Sequence, residues 1–386
     1  MKKLICSVLA VILCLSIPIS AFAASNGQMI SSEPLPIVTI GNEIASILQT
    51  IERQKDEFDM GNVDFSNLSL GKEIPSYELT ANGLVPINSI HYFPILSENN
   101  WVATAIVSYS KFGDMNVEVS AKYVSDYAKL NSAKNLQKSN AAVRAALVFD
   151  RTNAYLYSDY GRVLAESFQE VPGRVSAANY TRTISPATVQ LSSQYPIDVK
   201  TSGSAQDSLK TINRDNENFV SLDITPIEQP TPYTCWAACI AMILNYYGTS
   251  ATVSSVVSDA GVDLNTYRLS GQCIDILTNI YGYSCGIEGS SNGAQYESLT
   301  LYSLRGELFI LSAPIFAGFA VPGESLGHAV VIKGFTNPSS GSATMTYIDP
   351  ADGYIKATTI PSNGAVTITL SGNTYDLDGA FGVYDW

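Results

Sequence analysis

A cysteine stands where a turn-rich segment gives way to an apolar run, in the stretch "QPTPYTCWAACIAMILNYYG". The pattern predicts a helix from about Cys235 to Tyr247, with Gly248 as its C-terminal stop. Cys235 would then occupy the first turn, where free backbone N–H groups and the helix dipole favour a negative charge and lower the pKa of a thiol. A thiolate placed there is a nucleophile that can attack a carbonyl carbon.

Such a thiolate needs a histidine partner, and the chain contains two histidines, His91 and His328. Only His328 lies in the region that carries Cys235. It stands in "LGHAVVIKGF", where Gly327 precedes a β-like run. Its imidazole could take the proton of the thiol and hold the thiolate as an ion pair. His91, in "NSIHYFP", is interpreted as structural.

Two further side chains would complete the groups that acyl transfer requires. Asp349, in "YIDP", lies 21 residues after His328 at the end of the next β-like run and would orient the imidazole ring. Asp352 is the competing acceptor, with turn stabilisation in "DPADG" as its alternative role. Gln229, six residues before Cys235, would donate its side-chain amide to the oxyanion, beside the backbone N–H of the cysteine.

The chain resembles the papain-like cysteine peptidases, because it has the functional residues of that family in the same order: Gln229, Cys235, His328 and Asp349. An aromatic residue after the thiol, Trp236, and the small-residue helix that follows it add to the likeness. The resemblance extends over about residues 220 to 360. It is closest to the bacterial peptidases of the bacteriocin-leader-processing type, the double-glycine peptidase-like group, and to their secreted relatives.

The resemblance implies a secreted cysteine peptidase that hydrolyses peptide bonds through a thioester on Cys235. In that mechanism His328 acts as general base and acid, Asp349 orients it, and Gln229 contributes to the oxyanion hole. Three features depart from the family pattern. Membrane-bound leader peptidases carry transporter segments that are absent here, so double-glycine specificity does not carry over. Trp236 and Ala237 replace the usual Gly and Pro, and an aspartate stands where asparagine is common.

Two other functions remain open. One is a peptidoglycan amidase or endopeptidase of the cell wall, although such enzymes usually place the cysteine in a DCSG-like context that this sequence lacks. The other is a catalytically inactive peptidase-like protein that binds its partners without cleaving them. The complete set of Gln, Cys, His and Asp favours the peptidase over both.

Residues 1–24 have the pattern of a secretory signal peptide, since Lys2 and Lys3 precede an apolar run and "AFAAS" offers a cleavage site near Ala23 or Ala24. The mature protein would be secreted, and extracellular or associated with the cell wall. Removal of residues 1–24 takes away two of the 22 basic residues, so that the mature protein has 20 basic and 35 acidic residues. This negative charge argues against nucleic acid as a partner. No later apolar run predicts membrane insertion, and the expected partner is a protein or peptide substrate.

Four of the six cysteines remain after the signal peptide. Cys239, one helical turn after Cys235, is predicted to be a small core residue. Cys273 and Cys285 either form a disulfide or are two further core residues. One nearby histidine and no CxxC spacing predict neither a metal site nor a cofactor.

The elements around these residues predict an α+β protein in three parts. Residues 25–170 combine the helical pattern of "NEIASILQTIERQKDEF" with β-like runs, and they predict a small α+β domain on an antiparallel sheet. Residues 171–219, rich in Ser, Thr, Asn and Gln, predict a linker. Residues 220–386 place helices before an antiparallel sheet or half-barrel, as in a papain-like domain.

The N-terminal domain has two interpretations. By the same resemblance it is a propeptide that inhibits the peptidase intramolecularly until the linker is cleaved, which would make the chain a zymogen. The alternative is a permanent targeting or binding domain.

Overall fold

Two β-sheets build most of the fold in the computed structural model, which describes residues 36–98, 100–136, 144–199, 219–287, 293–324, 327–337 and 342–385. The predicted signal peptide, residues 1–24, lies outside the described residues, as do residues 200–218 of the predicted linker. The strands, numbered in chain order, are β1 Leu68–Gly71, β2 Ser76–Thr80, β3 Gly83–Pro86, β4 Ile90–Ser97, β5 Asn100–Tyr109, β6 Met115–Ser120, β7 Arg144–Phe149, β8 Asn153–Ser158, β9 Gly161–Ser167, β10 Val189–Gln190, β11 Ser193–Ile197, β12 Phe219–Ser221, β13 Ser284–Gly286, β14 Ile315–Ala320, β15 Gly327–Thr336, β16 Thr344–Ile348, β17 Ile355–Thr359, β18 Thr367–Leu370 and β19 Asn373–Tyr384.

The larger sheet joins the N-terminal region to the cysteine-bearing region. Its strand order is β11-β1-β4-β5-β6-β17-β16-β15-β14-β19-β13, with β12 paired to β15 and β18 paired to β19. The two regions meet where β6 pairs with β17 in antiparallel register, Val119 opposite Ala357 and Glu118 opposite Thr358. The chain from Pro36 onward therefore forms one compact unit, in which the two predicted domains share a sheet.

The smaller sheet belongs to the N-terminal region alone. Its order is β3-β2-β7-β8-β9, with β10 paired to β7. Strands β2 and β7 run parallel, whereas the sequence predicted an antiparallel sheet. Strands β7, β8 and β9, which flank the turn segments "DRTN" and "SDYG", form consecutive antiparallel pairs.

Helices cover the sheets and supply the start of the cysteine-bearing region: α1 Ile37–Arg53, α2 Val124–Leu136, α3 Cys235–Tyr246, α4 Val253–Asp259, α5 Ser270–Asn279 and α6 Leu301–Leu304. A 3₁₀-helix, Phe65–Asn67, and a π-helix, Arg305–Ile310, accompany them. Helix α1 buries the apolar face that its spacing predicts, Ile44, Ile47, Leu48 and Ile51. It packs on β6, β11, β16 and β17, and so it covers the junction between the two regions.

The structure differs from the predicted linker over residues 171–199. Val171, Ala177 and Ile197 are buried, and β11 pairs with β1 at one edge of the larger sheet. These few apolar residues follow neither a helical nor a strand period. Tertiary contacts can bury a short irregular segment without leaving a periodic pattern, so the sequence did not predict this burial.

The α+β class is confirmed by this mixture of helices and largely antiparallel sheet. In the cysteine-bearing region, α3, α4 and α5 precede the strands β14 to β19, which is the predicted order. Among the described residues, no helix is long and apolar enough to span a bilayer.

Candidate active site

Cys235 is the first residue of α3, as the sequence predicted. The helix combines strong helix formers (Ala, Met and Leu) with larger apolar residues and is buried from Cys235 to Leu244, so packing on all sides holds it in place. It stops before Gly248, whose φ of 90° is accessible to glycine at low cost. The first N–H groups of a helix have no partner within it, so the N–H of Cys235 has no acceptor inside α3.

Trp236 anchors the loop that lines the other side of the cysteine. Its side chain is completely buried, and its indole Nε1 donates to the carbonyl of Thr266 at 2.9 Å. The two residues that follow this carbonyl, Tyr267 and Arg268, line the small cavity at Cys235. The aromatic residue after the thiol therefore fixes a wall of the site.

His328 is the second residue of β15, where it lies opposite Phe319 of β14. Gly327 precedes it, and a Cβ atom at this position would collide with the phenol of Tyr267. The glycine thus lets the loop after α4 close against the strand that carries the histidine. Burial of His328 is nearly complete, with 5% of the residue exposed.

The ring of His328 lies between Cys235 and Asp349. Its Nε2 is 2.6 Å from Oδ1 of Asp349, which leaves Nδ1 for the hydrogen bond to the Cys235 thiol. Burial opposes the positive charge, but the Asp349 carboxylate and the hydrogen bonds to Asp349 and Cys235 raise the pKa of His328 to about 10. The structure therefore favours the protonated form of the His328 ring at neutral pH.

Asp349 follows the last residue of β16 and is 1% exposed. Burial opposes its ionisation, but the ammonium of Lys356 and the ring of His328 hold its pKa well below the usual range. Asp352, the competing acceptor, lies instead 2.9 Å from Lys356 Nζ and 3.5 Å from Lys122 Nζ. The structure thus places Asp349, and not Asp352, against the histidine.

Gln229 lies in the segment that leads into α3, and its backbone N–H donates to the carbonyl of Pro350 at 2.8 Å. This bond ties the segment before Cys235 to the residue after Asp349. The side chain of Gln229 lines a cavity of about 370 Å³ between the N-terminal region and the segment 228–232, and not the small cavity at the thiol. Its Oε1 is buried without a hydrogen-bond partner among the described residues.

The site is closed in this structure. Cys235 is 1% exposed, and the cavity in contact with it and with His328 has a volume of about 10 Å³, about the space of one water molecule. Gln169, from the segment after β9, spans the two walls. Its Nε2 donates to the carbonyl of Pro232 at 3.1 Å and to the carbonyl of Gly327 at 3.3 Å.

The other cysteines have surroundings that suppress reactivity. Cys239 and Cys273 are fully buried free thiols, and burial raises the pKa of both well above the ordinary value. Cys273 therefore forms no disulfide with Cys285 in this structure. Burial also raises the pKa of Cys285, to about 12. The core position predicted for Cys239 is confirmed.

His91 lies away from these groups, on β4, where its Nδ1 is 2.7 Å from Oε1 of Glu73.

Three side chains at the site were not predicted from the sequence: Gln169, Lys122 and Lys356. Lys356 carries the weak signal of a lone charge inside an uncharged β-like run, "YIKATTI", whereas Lys122 lies in a run that also contains Glu118 and Asp126. Gln169 carries no signal, because its two contacts are with carbonyls 63 and 158 residues further along the chain.

A thiol, an imidazole and an ionised carboxylate in a hydrogen-bonded row are the groups required for nucleophilic attack on a carbonyl. Residues 221–365 match the sequence profile of the peptidase C39-like family, which agrees with the predicted extent of the resemblance. No curated protein matches the chain.

One similar solved structure is described as a double glycine motif protease from an AMS/PCAT transporter in complex with the leader peptide. It is 20% identical over 43% of this chain and 94% of its own, with a TM-score of 0.27, which is too low to establish a shared fold. The family match over the segment that carries the site is the informative result. Residues 221–365 form a C39-like, papain-like peptidase domain, and the chain is a cysteine-type peptidase.

Proposed function

We propose that the protein hydrolyses peptide bonds through a thioester on Cys235. His328 takes the proton of the Cys235 thiol, the thiolate Sγ attacks the carbonyl carbon, and the resulting imidazolium gives that proton to the leaving amine as the C–N bond breaks. A water molecule then transfers a proton to His328 and attacks the thioester, which releases the acid and restores the thiol–imidazole pair. Asp349 keeps the ring in the orientation that both steps require.

The hydrogen-bonded row Cys235–His328–Asp349 is the observation that carries this proposal. The order of contacts matters, because the ring bonds the carboxylate through Nε2 and therefore presents Nδ1 to the thiol. Cys239 and Cys273 lie in the same core without such partners, so burial alone does not distinguish Cys235.

Gln229 is proposed as the side-chain donor of the oxyanion hole, beside the backbone N–H of Cys235. Its backbone bond to Pro350 supports this role, because it holds the segment before the nucleophile next to the carboxylate end of the site. The amide would have to turn from the larger cavity towards the thiol when the site opens.

The experiment is hydrolysis of a mixed peptide library, followed by mass spectrometry, for the wild type, Cys235→Ala, His328→Ala and Cys239→Ala. The first two variants should lose hydrolysis and labelling by an epoxysuccinyl thiol-protease inhibitor. Cys239→Ala is the matched control, since it removes a thiol one turn away and should keep the cleavage pattern. Hydrolysis by Cys235→Ala would refute the mechanism.

The proposed place of action is outside the cell or at the cell wall. The basic and apolar pattern of residues 1–24 supports secretion. Mass spectrometry of protein exported by a bacterial host should find a mature N-terminus at Ala24 or Ser25. Protein retained in the cytoplasm with Met1 intact would contradict this.

We also propose that the N-terminal region inhibits the peptidase intramolecularly. Gln169 supports this, because its amide gives two N–H groups to carbonyls on both walls of the cleft, where the N–H groups of a bound peptide would otherwise donate. The small volume at Cys235 agrees with a closed state. Substrate would enter after the segment around Gln169 moves.

The family match favours neither a peptidoglycan amidase nor an inactive binding protein, the two alternatives from the sequence. Hydrolysis of purified peptidoglycan, without cleavage of the peptide library, would support the amidase.

A further inference from the structure

The carboxylate end of the active site continues into the N-terminal region as a row of buried charges. Oδ2 of Asp349 lies 2.6 Å from Nζ of Lys356, and this Nζ lies 2.9 Å from Oδ2 of Asp352. The same oxygen lies 3.5 Å from Nζ of Lys122, which is 2.9 Å from Oε2 of Glu166. The exposed fraction of these five side chains does not exceed 9%.

The shared sheet brings these charges together. Strand β17 carries Lys356 and lies between β16, which ends directly before Asp349, and β6 of the N-terminal region. Lys122 follows the end of β6 by two residues and so reaches the turn that contains Asp352. The contact between the N-terminal region and the active site therefore depends on the pairing of β6 with β17.

Both oxygens of Asp349 are engaged. Oδ1 accepts from His328 Nε2 at 2.6 Å and from the backbone N–H of Ala351 at 2.9 Å, while Oδ2 accepts from Lys356. Rotation of the carboxylate would break contacts on both sides. Lys356 thus fixes the plane of the group that orients the histidine.

The charges depend on one another because all five side chains are buried. Burial opposes the charge of Lys356, but Asp349 and Asp352 raise its pKa. Burial also opposes the charge of Lys122, but Glu166 and Asp352 raise its pKa well above the ordinary value. A buried ion that loses its partner is strongly destabilised, so Lys122 limits how far Asp352 can move from Lys356.

Other ionisable groups face the row from the elements packed around it. Burial raises the pKa of Glu118 on β6, which accepts from the hydroxyl of Tyr347 on β16 at 2.6 Å. Burial likewise raises the pKa of Glu166 on β9. The charged and phenolic groups that face Lys356 and Asp349 are Glu118, Lys122, Tyr123, Glu166, His328, Tyr347 and Asp352.

We propose that Lys356 is a positioning residue for Asp349, and that Lys122 of the N-terminal region positions Lys356 through Asp352. The inference rests on the proposed function, in which Asp349 orients the histidine. It adds that the N-terminal region is a lasting part of the active enzyme and not a segment that must be discarded. Inhibition by Gln169 is compatible with this, because the segment after β9 can move while β6 stays paired.

The test measures alkylation of Cys235 by iodoacetamide between pH 4 and 9 in the full-length protein, with peptide mapping of the adduct. Loss of the cation at Lys356 or Lys122 makes ionisation of Asp349 less favourable. The imidazolium of His328 is then less well stabilised, and so is the Cys235 thiolate that pairs with it. In Lys356→Met and Lys122→Met, the acidic limb should therefore move to higher pH. The alkylation rate at pH 6 should fall about tenfold, which corresponds to a shift of about one pH unit in the acidic limb of the rate profile.

Variants that keep the positive charge distinguish the effect of the charge from the effect of changing the shape of the side chain. Lys356→Arg and Lys122→Arg should stay closer to the wild-type profile than the Met variants. If Lys122→Met does not fold, as judged by circular dichroism, Lys122→Gln replaces it in the same measurement. A folded, neutral variant at Lys122 with a wild-type profile would overturn the inference, as would an Arg variant as impaired as the neutral one.

Lys333→Met is the matched structural control. Lys333 on β15 is also a buried lysine that pairs with the N-terminal region, with Nζ 2.6 Å from Oε2 of Glu57. Its loss should lower thermal stability and leave the alkylation profile unchanged. An equal shift in Lys333→Met would mean that any weakening of the contact between the regions suffices, which would overturn the specific role of Lys122.

Failure of the inference and failure of the proposed function give different results. If Cys235→Ala still hydrolyses the peptide library, the proposed function is refuted and the role of Lys356 with it. If Cys235→Ala is inactive and a folded, neutral variant at Lys122 keeps the wild-type profile, only the inference is refuted.

Discussion

Nε2 of His328 lies 2.6 Å from Oδ1 of Asp349, and the two side chains are 3% and 1% exposed. Such a short contact in a dry environment holds the imidazolium strongly. Because Asp349 also accepts from Lys356, the state of the histidine depends on a residue that it does not touch.

Asp349→Asn should lower kcat/KM at least about tenfold, even though asparagine is common at this position in papain-like enzymes. Asp349 accepts from His328 on one oxygen and from Lys356 on the other, whereas an amide offers one acceptor. One of the two donors, His328 or Lys356, would therefore face the NH₂ group of the amide. Steady-state hydrolysis of a peptide selected from the library measures the effect, and wild-type kcat/KM in a folded Asn variant would contradict it.

The free energy of unfolding should decrease as the pH rises towards 10, in part because of His328. Its pKa is raised to about 10 by the Asp349 carboxylate against the effect of burial. A histidine whose pKa is higher in the folded than in the unfolded protein stabilises the fold. This contribution is fully present below the pKa of the unfolded state, about 6.5, and is lost as the pH rises through the pKa of the folded state.

Urea unfolding at pH 6.5, 8.5 and 10.5 tests this in the Cys235→Ala background, which lacks the proposed nucleophile and so prevents hydrolysis of unfolded chains during the measurement. The decrease should be smaller in Cys235→Ala/His328→Gln, since Gln does not titrate. Equal slopes for the two proteins would show that His328 does not carry the pH dependence.

Gln169→Ala should increase the rate at which iodoacetamide modifies Cys235. Two neutral hydrogen bonds to Pro232 and Gly327 contribute about 1–3 kcal/mol to the closed state, so opening should become roughly 5- to 150-fold more favourable. Gln190→Ala makes the same substitution at an exposed position on β10 and, as the control, should leave the rate of Cys235 modification unchanged. An unchanged rate in Gln169→Ala would exclude Gln169 as the group that keeps the site closed.

Cleavage between residues 200 and 218 should not release the N-terminal region. A site for a sequence-specific protease introduced there would separate the chain into two fragments. They should still co-elute, because β6 pairs with β17 and α1 packs on strands of both regions. Size-exclusion chromatography after cleavage checks this, and separate elution of a folded, active C-terminal fragment would contradict the lasting role of the N-terminal region.

The local features of the site could be predicted from the sequence. Helix α3 begins at Cys235 because an apolar run with helical spacing follows a Pro-rich turn, and both signals are local. Asp349 was placed near His328 because consecutive β-like runs usually pair as neighbours, and β15 and β16 do so.

Long-range features could not be predicted in this way. The pairing of β6 with β17 joins residues more than two hundred positions apart, and only this pairing reveals what Lys122 contacts. The parallel pairing of β2 with β7 and the burial of Val171 and Ala177 are likewise set by tertiary contacts. A lone lysine in a strand gives no indication of its partner, because charge pairing in the interior depends on the assembled sheet.

The central claim, that Cys235 is the nucleophile activated by His328, is tested most directly by mapping the site of covalent labelling. Full-length wild type, Cys235→Ala, His328→Ala and Cys239→Ala would be treated with an epoxysuccinyl thiol-protease inhibitor and digested for mass spectrometry. We predict one adduct, on Cys235, in the wild type and in Cys239→Ala, and none in the other two variants. An adduct on Cys239 or Cys273, or undiminished labelling of Cys235 in His328→Ala, would contradict the mechanism.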